Sequence, residues 1–231
     1  MSGRANVPLP SGYTIRPYRD EDHHDARELF REGMGSLYWT GFKTSIRTLH
    51  IIVIIIISFA LPCLMLSSFT AGVLSISSLL LITYWTSWQT YNSYLNNVLE
   101  TDMSDIRGSY VSPRGAWFWV AEANGQLVGI VAIRQRSDRP LVCQLLRMNV
   151  HRMHRRRGIA SALLDVALQE AKEFGYRVCL LYTTVYQPEA QQLYMRKGFM
   201  LMGKLKSDAV PLFIQFLRTP TSLQMEKEIG D

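Results

Sequence analysis

Along the chain, apolar positions first alternate as in a strand and then recur as in a helix. Residues 13–16, Tyr-Thr-Ile-Arg, have the two-residue period of a short strand, and Pro17, with no N–H for a ladder, ends it or keeps it at an edge. Asp20 can cap the helix that follows, where Ala26, Leu29, Phe30 and Met34 share one face. Segments 117–123 and 126–133 flank Asn124-Gly125, a pair suited to the two positive-φ positions of a type I′ turn, and predict a β-hairpin. Segment 141–150 predicts a strand with Leu145, Arg147 and Asn149 on one face and Leu146, Met148 and Val150 on the other. A helix is predicted over 157–174, burying Ile159, Leu163, Val166 and Ala167 and stopping at Gly175. Segment 178–182 reads as a buried strand, and Pro188 and Gly198 bracket another helix. Strand-like runs from Phe199 and over 210–217 complete a mixed-sheet α/β domain, with 102–106 as a helical turn and 219–231 as a polar tail.

One stretch fits neither period. Between 51 and 99 there is no Asp, Glu, Lys or Arg. Crossing a bilayer takes about 20 apolar residues, so the apolar core of this stretch is too long for one span and just adequate for two short ones. Ser67, Ser68, Thr70 and Gly72 mark the break. A helix that is apolar all round has no face for water, which favours a membrane hairpin over a core helix. Aromatic residues gather at its ends, Tyr38 and Trp39 before it and Tyr84, Trp85, Trp88, Tyr91 and Tyr94 after it, as at a headgroup layer.

The hairpin interrupts a single domain, because 13–34 supplies a strand and helix of the sheet resumed after 115. The chain is therefore expected to enter and leave on one side, as a transmembrane or re-entrant pair of helices. Lys43 and Arg47 at the entrance put that side in the cytosol. The expected organisation is 1–45 for the first strand and helix, 46–95 for the membrane hairpin, 96–218 for the rest of the domain and 219–231 for the tail. The charged and polar residues that precede the hairpin set a secretory signal peptide aside.

A formal charge of +6 suits an anionic ligand, an anionic membrane or nucleic acid, so its location decides. It concentrates in Arg155-Arg156-Arg157-Gly158, with Arg152 nearby, between a strand and a helix. A glycine at a helix entrance lets backbone N–H groups approach a phosphate, and the helix dipole adds positive potential. Taken alone, the run also suits a solvated helix start or a nucleic-acid patch, but no aromatic stacking platform accompanies it. The odd number of cysteines, Cys63, Cys143 and Cys179, contains no C-x-x-C pair and reads as buried thiols rather than a disulfide framework or a zinc site. His151 and His154 have no further ligand nearby in sequence, and no metal is expected.

Arg155-x-x-Gly158-x-Ala160 resembles the Q/R-x-x-G-x-G/A motif of the GNAT superfamily of acetyl-CoA-dependent N-acetyltransferases. The run from Pro188 through Ala190, Leu193 and Tyr194 to Gly198-Phe199 resembles its second motif, A-x-x-L-Y-x-x-x-G-F. Leu-Glu-Thr-Asp-Met-Ser-Asp-Ile at 99–106, Phe-Trp-Val-Ala-Glu at 118–122 and the inserted hairpin are similar to the camello-like group, which includes membrane-bound cysteine S-conjugate N-acetyltransferases. The resemblance implies a mixed-sheet GNAT-type fold with acetyl-CoA as cosubstrate. Met148, Asn149 and Val150 would line the pantetheine arm, while Arg155, Arg156, Arg157, Gly158, Ile159, Ala160 and Ser161 would surround the pyrophosphate. Tyr194 would stand beside the sulfur, where a phenol of pKa about 10 can donate a proton to a departing thiolate.

Glu122, Tyr182 and a chain of waters are the candidates for general base. The expected reaction is acetyl transfer to a small-molecule primary amine, foremost the α-amine of a cysteine S-conjugate, at the endoplasmic reticulum membrane with the domain facing the cytosol. Acetylation of protein lysines in the secretory pathway and non-catalytic CoA binding at the lipid bilayer are the alternatives. No nucleic-acid partner is expected.

Overall fold

The computed structural model describes residues 11–35, 37–206 and 221–230. They form two compact units: one is the sheet domain, and the other is a helical unit whose first part runs from Met34 to Leu95.

In the sheet domain, β1 (Tyr13–Pro17), β2 (Trp117–Ala123), β3 (Gln126–Arg136), β4 (Arg139–Val150), β5 (Val178–Thr184), β6 (Met200–Lys206) and β7 (Thr221–Glu228) make one sheet, ordered β1-β2-β3-β4-β5-β7-β6. The hairpin turns as its sequence predicts, with Asn124 at φ 51° and Gly125 at φ 76°. Strands β1 to β4 are antiparallel neighbours, whereas β4 and β5 run parallel across the connection that holds a helix (Ile159–Phe174). Trp119, Ala121, Val131, Cys143, Leu145, Cys179 and Leu181 of the sheet pack with Ile159, Leu163, Leu164 and Ala167 of that helix in the main core. Gly175 ends the helix at φ 100°, and the Tyr176 N–H closes back on the Ala171 carbonyl at 3.0 Å.

Two expectations need correction. Residues 221–228 belong to no tail, since β7 pairs antiparallel with β5 from Ser222 opposite Thr184 to Glu228 opposite Val178. Its apolar signal is only Leu223 and Met225, both buried, set among polar residues, and hydrogen bonds from neighbouring strands supply what hydrophobicity does not. Segment 102–106 is mostly turn, and the helical turn comes next, as a single π-helical turn at Arg107–Val111. The strand-like run 210–217 lies outside the described residues.

In chain order the helices are α1 (His23–Gly35), α2 (Leu37–Ile46), α3 (Leu49–Leu66), α4 (Phe69–Glu100), α5 (Ile159–Phe174) and α6 (Pro188–Arg196). Within the helical unit, α3 stops at Ser67, which adopts the left-handed φ of 47°, and the Ser68 hydroxyl accepts from the Ala71 N–H at 3.3 Å. The reversal thus falls at the predicted break. A Cβ on Gly72 would lie 2.5 Å from Cys63 Sγ and 2.9 Å from Phe59, so this glycine lets α3 and α4 close on each other.

Candidate active site

The strand β4 is where the site begins. Its register with β3 slips between Ile130 and Ala132, and Arg147 takes the left-handed φ of 53°. An extra residue there makes a bulge, which bends the strand and resets its alternation. Leu145 and Val150 therefore share the main core, with Met148 packed against it. Arg147 and Asn149 turn to the opposite side, where Arg147 lies 5.6 Å over the Phe30 ring and Asn149 donates to the Leu29 carbonyl at 2.7 Å. The simple two-face reading of 141–150 fails at this bulge.

Bending has a second consequence. Parallel pairing of β4 with β5 stops at Leu145 opposite Leu181. Beyond it, β4 pairs with β3 through Asn149 and Val150, while its other edge pairs with no β5 residue among the described residues. A parallel sheet with both strands continuing past their last rung opens a cleft, and the free edge presents backbone donors and acceptors to an extended, amide-containing ligand.

Just past that edge the chain turns into α5. The His151 N–H returns to the Val128 carbonyl at 2.9 Å, a short 3-10 turn follows, and Gly158 precedes the helix at φ 81°. The first bond of the helix runs from the Ala162 N–H to the Gly158 carbonyl, 3.0 Å, which leaves the N–H groups of Ile159, Ala160 and Ser161 without an intrahelical acceptor. A Cβ on Gly158 would meet nothing within 4 Å. Open space, free amides and the positive end of a helix dipole fit a diphosphate.

The three arginines do not converge there. Arg155 Nε donates to the Val150 carbonyl at 2.9 Å, Arg156 pairs with Glu189 of α6 at 2.7 Å, and Arg157 donates to the Tyr13 hydroxyl at 2.8 Å. They fix the loop to β4, α6 and β1, and the groups left open at the helix entrance are backbone amides.

Tyr194, on α6, is 8% exposed and donates its hydroxyl toward Met148 Sδ at 3.6 Å, which sets the phenol against the unpaired part of β4. Phe199 packs edge-on at 5.7 Å, and a Lys197–Asp165 ion pair of 2.6 Å ties the end of α6 to α5. Burial foremost, and then the nearby Cys179, push the Tyr194 phenol above its ordinary range, so it stays protonated as a donor.

Glu122 is not brought to Tyr194. Its neighbours Ala121 and Ala123 point into the core that holds Tyr194, so Glu122 points to the other face, where Arg16 Nε donates to it at 2.9 Å. Arg16 also forks onto Asp22 at 2.7 and 2.8 Å. Tyr182 accepts from Arg136 at 3.4 Å.

One group escaped the sequence reading. Asp102 takes two bonds from Arg147, 2.7 and 2.8 Å, with both side chains about 10% exposed, and also accepts from the Tyr110 hydroxyl. Burial pushes the Asp102 carboxyl up, but Arg147 and Tyr110 outweigh it and hold the pKa below the ordinary carboxylate value. The available signal was an arginine inside an apolar strand, which demands a buried partner.

The model of the "Acetyltransferase (GNAT) family" matches residues 81–199, a range that contains the cleft, the cradle and Tyr194. The chain belongs to the GNAT family. It is 35% identical to N-acetyltransferase 8 of Mus musculus over 84% of this chain and 87% of the relative. It is 37% identical to N-acetyltransferase 8F1 of the same species, over 83% and 88% respectively. The fold is similar to a GNAT-family acetyltransferase from Staphylococcus aureus Mu50, with a TM-score of 0.56 at 16% identity, covering 94% of this chain and 99% of the other. This GNAT protein, a relative of the camello-like N-acetyltransferases of family 8, is an acetyl-CoA-dependent N-acetyltransferase.

Proposed function

We propose that this GNAT enzyme is anchored in the endoplasmic reticulum membrane, faces the cytosol, and acetylates the α-amine of a cysteine S-conjugate or related amino acid. The observation that carries the site assignment is the Tyr194 hydroxyl set against the unpaired edge of β4, beside the backbone cradle. When bound, acetyl-CoA supplies a thioester-activated acetyl group. The amides of Ile159, Ala160 and Ser161 hold the diphosphate, and the β4 edge over 148–150 orients the pantetheine arm. The amine nitrogen, as free base, bonds to the acetyl carbon as the carbon–sulfur bond breaks; the Tyr194 Oη gives its proton to the departing thiolate, and the proton lost from nitrogen returns to Tyr194 through water.

With Glu122 engaged by Arg16, the described residues place no evident strong base at the site, which favours an acceptor that is easily deprotonated. An α-amine titrates near pH 8 and a lysine near 10.4, so the α-amine presents far more free base at neutral pH. We expect Tyr194→Phe to lower kcat by about ten- to a thousandfold, with KM for acetyl-CoA little changed. In the same assay, wild-type enzyme should acetylate S-benzylcysteine. Failure on it, with acetylation of lysine peptides, would overturn the acceptor assignment.

Membrane anchoring rests on the outward-facing side chains of α3 and α4. Ile56, Leu64, Met65, Leu66, Phe69 and Leu81 are 60 to 77% exposed, a surface too apolar to leave in water. The 18 residues of α3 extend about 27 Å, close to the hydrocarbon thickness. The full chain should therefore stay in the membrane pellet through alkaline carbonate washing. In intact microsomes its sheet domain should be open to added protease. Release by carbonate would refute the anchor, and protection from protease would reverse the orientation.

A further inference from the structure

We propose a second anion site on the sheet domain, for a phosphate-bearing ligand, at the open end of the β2–β3 hairpin. Trp117 pairs with Ile133, so the segment leading into β2 and the end of β3 lie side by side. Between them is a cavity of about 410 Å³ lined by Arg114, Arg134, Arg136, Ser109 and Ser137. It is distinct from the cradle: Val150, where β4 gives way to the cradle loop, pairs with Gly129, and Arg134 lies about 17 Å further along β3 at the usual strand rise.

Two of the three cationic groups are positioned by their neighbours. Arg114 sits on a turn whose Gly115 carbonyl accepts from the buried Tyr176 hydroxyl at 2.7 Å, and its guanidinium lies 5.9 Å over the Phe174 ring. Arg136 is held by a two-point fork onto Asp138, 2.8 Å at each contact, and by its bond to Tyr182. Among the described residues Arg134 makes no side-chain hydrogen bond or ion pair, and Asp138 is the carboxylate that pairs with Arg136. Three guanidinium groups around one cavity with one carboxylate leave a surplus of like charge, which a multiply charged anion relieves. The guanidinium groups of Arg114 and Arg134, flanked by serine hydroxyls, suit a phosphate, whose several oxygens accept from both. A phosphorylated lipid headgroup and a free phosphorylated metabolite share that chemistry.

The test uses the full chain in neutral detergent, both without CoA and with CoA at saturation, so that binding at the cradle is separated from binding at this site. Binding of radiolabelled inositol trisphosphate is measured by equilibrium dialysis, and binding of a short-chain phosphoinositide in mixed micelles by fluorescence. We expect saturable binding that weakens at least about tenfold in Arg114→Gln/Arg134→Gln, with the variant's acetyl-transfer rate unchanged as the control for folding. Binding of both probes, or of the soluble one alone, assigns a free phosphate; binding only in micelles assigns a headgroup. The proposal is overturned if neither probe binds, if the double variant binds as wild type does, or if polyglutamate competes as well as the phosphates. Because acetyl transfer is read separately, loss of this site leaves the active-site assignment untouched.

Discussion

Gly158→Asp should cut acetyl-CoA turnover by at least about a hundredfold, expressed mainly as a raised KM for acetyl-CoA. The glycine holds φ at 81°, and its missing Cβ leaves open space at the mouth of the cradle. An aspartate there puts a carboxylate where the diphosphate approaches, and its oxygens can bond the same free amides of α5. Losing two charge-assisted bonds of about 1.5–3 kcal/mol each corresponds to a factor of a hundred or more. Folding should survive, because Asp tolerates left-handed backbone better than most residues and is a favoured N-cap. Gly158→Ala isolates the backbone strain, about 1–2 kcal/mol, from the charge and should fall between. Steady-state titration of acetyl-CoA with a thermal melt on each variant checks this, and an unchanged KM in Gly158→Asp would exclude the backbone cradle.

Asp102→Ala should destabilise the sheet domain by about 3 kcal/mol, because it strands the Arg147 guanidinium, about 10% exposed, without its carboxylate. Against typical net stabilities of about 5–15 kcal/mol, this is a large share. The replacement also removes the acceptor of the Tyr110 hydroxyl, and it loosens the residue that holds the bulge of β4. Activity should fall with stability, since that bulge ends β4–β5 pairing. The double change Asp102→Leu with Arg147→Met should recover much of the melting temperature by removing both charges at once. Recovery of stability without recovery of turnover would separate the fold from the shape of the cleft.

The same carboxylate makes a pH prediction. Its folded-state pKa lies below the unfolded value, so its stabilising contribution is present above that unfolded value, near 3.9, and is lost as pH falls through the folded one. Wild type should lose more stability on acidification below pH 4 than the apolar double variant. Equal acid sensitivity in denaturant titrations would count against the ion pair.

Much of the fold was legible because it depends on local chemistry. Asn124-Gly125 requires one kind of turn, Gly175 stops one helix, and the spacing of Ile159, Leu163 and Ala167 buries one face. The helical reversal at Ser67 likewise follows from where apolar residues give way to small polar ones. Illegible were the features that depend on partners far away in the chain. Thr221–Glu228 has too few apolar residues to signal a strand by itself, and becomes one because β5 offers it a ladder. Arg147 looked like one face of a regular strand until Asp102 and Tyr110 made a bulge with a buried charge tolerable.

The catalytic assignment divides in the same way. The sequence by itself determined that the chain carries a glycine-opened helix after a strand, a tyrosine on a later helix and an apolar hairpin, because each rests on residue type and spacing over a few turns. Only the tertiary structure decided that the arginines brace the loop and that the first amides of α5 are left without intrahelical acceptors. It alone set Tyr194 against the open edge of β4 and drew Glu122 away to Arg16. Those outcomes turn on which groups meet across long stretches of chain, and on charges that must find partners once they are buried.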